Sequence, residues 1–588
     1  MQSLIKRILQ ACICEELLSY AVKTHGLRIP LKHSGKTILA NDVIYFNLNK
    51  VQIKGEITLE DQGQLKPLND VHLLLNLIYE EIADKVDLDL WQRFVQEIDN
   101  CAANEFLVNQ YSHKFNQNLA AEVTQAQCKS LIEYIATQYS PADQLIFFEG
   151  WATQGHPYHP CHKTRLGFNE ADYIKYSPEF NGDIQICVAA VEKKLLHIEQ
   201  EQIGRDYNEW FAQAYPQQWQ NFQEKLKVTN LNETHYHPIF IHPWQYENII
   251  ITLFSNLIKN KNLIYFDDVN IAMKASLSFR TLIAKDDPKA PHIKLPVAVH
   301  STSTLRIIPP AAVVNGPKLG KMLKAILAHE NHFGQHLHVA YESCSLHIND
   351  TDPELSQHLA VIYRENPTHF INKNQTLVPV AALYQKSTVT QLPLFIEIIK
   401  ASGHETLTEA TRYFDEYTKI CIHAYLDLFL VYGIALEGHQ QNTIAVFENF
   451  KATHMIQRDL TGLRIHEPTL TRKGYQFTPY PNSRTFTHDA QDARKKLLHT
   501  LIQYHLGELG LILAEHFNVS ENVFWKIIKN NLESRFQHLK NRVELNRWEE
   551  EYNAFLIDDW DFKCLLRMRL SRINQHVYIP QKNPLRDL

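Results

Sequence analysis

Residues 155–168 read GHPYHPCHKTRLGF, and far downstream Glu437-Gly438-His439-Gln440-Gln441-Asn442 is followed by Arg458-Asp459. Pro157 and Pro160 forbid a regular helix in the first stretch. It has to be a loop, and three histidines, a lysine and an arginine make that loop a grip for anions rather than a solvated connector. The second stretch supplies carboxylates and amides. A fold that uses both must bring segments from the two halves of the chain to one concave surface. That points to several lobes around a shared cleft, and 588 residues are too many for one ordinary core.

Composition narrows the function class. Hydrophobic residues at 45% and charged residues at 21% are globular values. A net charge of −6 gives no global drive toward nucleic acid. Nine cysteines, an odd number without a C-x-x-C pair, suit reduced thiols in a cytoplasmic protein rather than a disulfide framework. No run of eighteen apolar residues occurs, so no membrane span is expected, and Ser3–Ala21 reads as an amphipathic helix rather than a secretory leader.

Helical spacing over Val71–Val95 and Ala120–Tyr139 makes residues 1–144 mostly helical, with a hairpin from Thr37 through Ile57. Strands are expected across 263–310, with Ala272–Leu282 and His292–His300 alternating, and a helix after Pro317 over Leu319–His329. A long helix over 406–430 precedes short strands at Thr443–Phe447 and Thr453–Ile456, and the last hundred residues are helical.

Three clusters carry chemistry. In the first, His156, His159 and His162 at i, i+3, i+6 invite zinc, but the prolines break the helix that would align them. Lys163 and Arg165, two apart, would point to one face of an extended segment and hold an anion. In the second, Ser276, Ser278, Arg280, Thr281, Lys294, Thr302, Ser303 and Arg306 interleave hydroxyls with cations on neighbouring strands, which suits a polyphosphate. An ordinary sheet with a polar face is the plainer alternative. In the third, Glu437, Asn442 and Asp459 are oxygen donors of the kind that hold magnesium against a triphosphate, with His439 and Gln441 beside them. Gly35-Lys36-Thr37 only imitates a phosphate loop, because Pro30 stands where a glycine is needed.

Together these motifs, with His242-Pro243-Trp244-Gln245 and the ending Lys563…Leu566-Arg567-Met568-Arg569-Leu570…Asn583-Pro584-Leu585, resemble the IucA/IucC family of siderophore synthetases that work without nonribosomal peptide templates. The resemblance implies an α+β fold shaped like a cupped hand: a thumb at 1–144, fingers at 145–400 and a palm at 401–588, with mixed antiparallel sheets flanked by helices. It implies an ATP- and Mg2+-dependent ligase that adenylates a carboxylic acid, citrate or a derivative, and then condenses it with an amine or hydroxyl. By resemblance, Ser278, Arg280, Lys294, Thr302, Ser303 and Arg306 hold the phosphates. Glu437, His439, Gln441, Asn442 and Asp459 hold nucleotide and metal, the metal ligands being Glu437, Asn442 and Asp459. His156, His159, Lys163 and Arg165 face the reacting carboxylate, with Arg165 and Lys563 available for further carboxylates. Ser303 stands in a Thr-centred turn where the family pattern is variable. A homodimer is also implied, and His439 or a nearby histidine is the expected proton acceptor for the amine. The competing classes are a phosphotransferase with a kinase-like palm, suggested by Asn442 and Asp459, and a transition-metal-binding protein, suggested by 31 histidines.

Overall fold

The computed structural model describes residues 2–23, 26–156, 158–202, 204–301, 304–330, 333–350, 352–572 and 576–588. The α+β class holds, with mainly antiparallel sheets, two of them containing one parallel pair, packed against long helices. The hairpin expected at 37–57 is part of a larger element. Ala21–Lys23, Gly26–Pro30, Thr37–Asn41, Ile57–Asp61 and Gln64–Pro67 pair in that order as a five-stranded antiparallel sheet. Its inner face closes on the helices Gln2–Cys14, Val71–Ile82 and the start of Leu88–Gln125 through Ile5, Ile8, Ile29, Ile38, Leu74 and Phe94.

The central sheet has eight antiparallel strands: Tyr236–Ile241, Ile184–Glu192, Leu263–Ala275, Thr281–Ala284, His292–Lys294, Ala360–Arg364, Glu342–Ile348 and Leu196–Gln200. The alternation through 272–282 is interrupted. Ser276–Arg280 is a turn, because Phe279 takes a left-handed φ of 47° and its N–H closes on Ser276 O at 2.7 Å. The turn puts both serines and Arg280 at one end of the sheet.

The expected helix at 319–329 begins earlier, as Pro310–His329, and runs through Pro317. A proline there strips Val313 of its intrahelical donor. The Ser345 hydroxyl replaces it, donating to Val313 O at 2.6 Å.

The third body is built on Leu407–Tyr432. Thr406 and Glu409 form a capping box at its start and Gly433 ends it at φ 74°. From Ala424 to Tyr432 every side chain is buried, so this helix is core on all sides. Its neighbours include a sheet of Leu337–Ala340, Lys451–Arg458, Thr443–Glu448 and Gln375–Pro379. The same core takes Ile135, Phe148, Leu323 and Val380, so the chain returns to it several times. The two ends of the protein also meet. The buried Glu15 carboxylate accepts from Leu566 and Arg567 N–H, each at 2.8 Å, and this seats the segment that carries Lys563. All nine cysteines are unpaired. Among the described residues, no helix is long and apolar enough to cross a membrane.

Candidate active site

One end of the central sheet is a ladder of cations. Strand register sets Thr281 opposite Lys294 and His292 opposite Arg364. Lys294 Nζ lies 2.6 Å from Asp459 Oδ2, and Arg364 lies 3.4 Å from the same oxygen and 3.2 Å from the buried Glu342. Arg280 donates to Ile307 O at 2.9 Å. Arg165 donates to Ser301 Oγ at 2.7 Å, with its guanidinium over the Phe279 ring at 4.6 Å. Arg306 stands among them. Burial, then Arg280 and Arg165, pull its pKa to about 9 against the opposing pull of Asp459. Burial likewise lowers Arg280 to about 10. Both stay cationic near neutral pH. A concentration of positive charge facing few carboxylates is a receptor for a polyanion. Thr302 and Ser303, which belong to this cluster by sequence, lie outside the described residues.

The facing wall is the loop 437–442. Lys496 Nζ donates to Glu437 Oε1 at 2.7 Å, Asn442 Nδ2 reaches Glu437 Oε2 at 3.4 Å, and His439 Nε2 stands 3.8 Å away. Burial by itself would raise the Glu437 carboxyl, but the charges of Lys496 and His439 and the Lys496 hydrogen bond bring it down to about 2. Gly462 makes room for it, since a Cβ there would stand 2.0 Å from Oε2. Asp459, in a left-handed conformation at φ 69°, is held far below the carboxylate range because Lys294 and Arg364 outweigh burial. Arg458 fixes the loop, donating from Nε and Nη2 to Gln441 O at 3.1 and 2.7 Å.

His439 corrects the sequence expectation. Its Nδ1 accepts the Gln441 N–H at 3.2 Å, which leaves the proton of the neutral ring on Nε2. A neutral His439 therefore presents an Nε2–H donor on the side of Glu437, a different orientation from that of a ring with Nε2 free to accept. His156 and His159 repeat the device, accepting at Nδ1 from Tyr158 N at 3.2 Å and Cys161 N at 3.1 Å. Burial lowers His156 to about 3 and His159 to about 4, so both rings are neutral. Gly155 is required in this loop: at φ 73°, a Cβ would lie 2.1 Å from the His162 ring.

Lys163 is a second correction. The chain turns at 160–163 instead of extending, and Lys163 Nζ is spent on the buried Glu179, 2.7 Å away. It anchors the loop, and Arg165 alone faces the cations. His242-Pro243-Trp244-Gln245 is also structural: Trp244 Nε1 bonds Asp172 at 3.1 Å and Gln245 Oε1 holds Ala298 N at 2.9 Å.

Beyond Glu437 the cleft is basic again. Lys563, on the strand Trp560–Lys563, is lowered by burial and by Lys496 to about 8, against the pull of Glu437. The π-helical stretch Leu498–Leu506 brings His499 and Tyr504 beside it, with ring centroids 4.5 Å apart and His156 at 5.2 Å from Tyr504. Tyr504 Oη and His499 Nδ1 are buried with no hydrogen-bond partner, so both are available to a ligand. Sequence reasoning missed Lys496, His499, Tyr504 and Arg364. The one signal was Lys496 and His499 at i, i+3 in a segment otherwise read as plain helix.

Glu437, Asn442 and Asp459 could offer oxygen donors to a hard divalent cation, and two of them are held as anions, which fits magnesium with several retained waters. Among the described residues, no group of three or more His, Cys, Asp or Glu side chains is arranged to hold a metal ion.

The chain is similar to known proteins in sequence and in fold. Residues 144–385 match the model of the IucA / IucC family, and residues 411–577 match one described as ferric iron reductase FhuF-like transporter. The chain is 27% identical over 587 residues to D-ornithine–citrate ligase of Staphylococcus aureus, covering 96% of this chain and 87% of the relative. Among solved structures, petrobactin biosynthesis protein AsbB of Bacillus anthracis superposes with a TM-score of 0.84 at 20% identity, covering 100% of this chain and 95% of that one. ATP-bound aerobactin synthetase IucA of Klebsiella pneumoniae gives 0.76 at 17% identity, covering 100% and 99%. Residues 144–385 are thus similar to the IucA / IucC family, and the likeness to these solved structures shows the fold.

Proposed function

We propose that this chain belongs to the IucA/IucC family and is an ATP-dependent acid–amine ligase of siderophore biosynthesis, joining citrate or a citrate derivative to an amine with release of AMP and pyrophosphate. The observation that carries the reading is one cluster of charged side chains with two basic ends. Arg165, Arg280, Lys294 and Arg306 form one end, Lys496 and Lys563 with Tyr504 and His499 the other, and Glu437 and Asp459 lie between them. A triphosphate at the first end and a polycarboxylate at the second would meet near His439 and His156.

In the first half-reaction a carboxylate oxygen of the acid attacks the α-phosphorus, an acyl–O–P bond forms and the bond to pyrophosphate breaks. Two anions approach, so the rate depends on preorganised positive charge. Arg306, between Arg165 and Arg280, is placed to stabilise the pentavalent phosphorus, and Lys294 and Arg280 the leaving pyrophosphate. The neutral His156 and His439 donate from Nε2, fixing oxygens without adding charge. Magnesium, held by Glu437, Asn442 and Asp459, would offset charge on the leaving phosphates. In the second half-reaction the amine nitrogen attacks the acyl carbon, the C–N bond forms, AMP departs and the ammonium proton is lost. The cationic surroundings favour an amine that arrives neutral.

The relative's printed name supports citrate as acid and ornithine as one amine to try. The test is to incubate the protein with ATP, Mg2+, citrate and single amines from a panel containing ornithine and spermidine, and to follow nucleotide and product mass. Citrate-dependent AMP and pyrophosphate, with a product lighter than the sum of acid and amine by one water, is the expected result. ADP as the nucleotide product would establish phosphoryl transfer instead.

A further inference from the structure

We infer that Glu149, outside the cleft, is a positioning residue that locks the two walls of the nucleotide subsite to each other, a role that rests on the ligase reading above. Glu149 lies on the helix Pro141–Trp151 and is 1% exposed. Its Oε2 accepts the Leu277 N–H at 2.7 Å, inside the turn that presents Ser276, Ser278 and Arg280. Its Oε1 is paired with Arg458 Nη1, and Arg458 is 3% exposed. That guanidinium holds Gln441 O from its other two nitrogens, and the Arg458 N–H donates to Asn442 O at 2.9 Å. One carboxylate thus ties the phosphate-binding turn of the central sheet to the loop 437–442 and to the residue preceding Asp459.

A buried ion pair is a weak device for stability, since apolar replacement of both partners is often neutral or stabilising. Its value here is geometric. Leu277 N and Gln441 O belong to segments with no strand pairing to each other, and Glu149–Arg458 sets their separation. A purely structural pair and a positioning pair differ in what the double apolar variant recovers.

The experiment compares wild type, Glu149→Asp and the double variant Glu149→Leu/Arg458→Met. It measures melting, equilibrium binding of ATP by calorimetry, and KM for ATP and for citrate separately. The double variant is expected to melt near wild type yet bind ATP weaker by roughly tenfold or more, with a matching rise in the KM for ATP and a far smaller one for citrate. Glu149→Asp, one methylene shorter, reaches Arg458 or Leu277 but not both, and is expected to show the same selective loss. It decides the matter if the double variant does not fold. Wild-type ATP affinity in either folded variant, or equal losses for ATP and citrate, overturns the inference. Wild-type protein that binds no ATP overturns the ligase reading instead.

Discussion

Replacing Lys496 by Met leaves Glu437 in the cleft without its nearest cation. The Glu437 side chain is 17% exposed and its carboxyl is held at about 2 instead of 4.5. That difference corresponds to roughly 3 kcal/mol in favour of the ionised form. Because the folded pKa is depressed, this stabilisation is fully present above about pH 4.5 and is lost as pH falls toward 2. In Lys496→Met burial dominates, the carboxyl rises above its usual value, and ionisation at neutral pH opposes folding. The expected cost is about 3 kcal/mol, within the range for breaking a buried pair from one side. The transition that includes helix Leu407–Tyr432 should therefore fall by several degrees at neutral pH and recover as pH is lowered. Scanning calorimetry across a pH series reads this directly, and AMP release over the same series should show a new acidic limb. Adding Glu437→Gln removes the stranded carboxyl and should restore the melt but not the turnover. A Lys496→Met protein with the wild-type midpoint and pH profile would refute the reasoning.

Arg306→Ala should cut kcat by about a hundredfold, near 3 kcal/mol of transition-state stabilisation, without shifting the melt; near-normal turnover would remove Arg306 from the cleft. Lys563, at about 8, loses its proton as pH rises through that value, so the KM for citrate should climb on the alkaline side, and Lys563→Arg should abolish that limb. Lys163→Met should lower the melting temperature by stranding Glu179 while leaving the ratio of kcat to KM for ATP nearly unchanged, measured on folded protein; a selective loss of ATP use would return Lys163 to the active site.

Much of the site was legible because side-chain chemistry is written locally. Prolines excluded a helix at 155–168, apolar spacing marked a long helix over 406–430, and the sequences around Arg280, Lys294, Arg306, Glu437 and Asp459 carried hydroxyls, cations and carboxylates in motif order. What stayed hidden was how those charges are compensated. Lys163 and Lys294 read alike in sequence, yet the fold commits one to Glu179 and sets the other against Asp459 at the cleft. His439 reads in sequence as a free imidazole, whereas the fold places the Gln441 N–H on its Nδ1. Lys496 became visible only once the helix Ala490–Leu497 set it against Glu437, and His499 and Tyr504 only once the π-helical stretch that follows brought them beside Lys563. The sequence by itself determined the kinds of groups available and the main helices that carry the cores, because rotamers, caps and periodicity act over a few residues. Only the tertiary structure decided which cations remain to meet a ligand. Charge compensation depends on distance through space, and partners such as Lys294 and Asp459 are brought within 2.6 Å across 165 residues of chain.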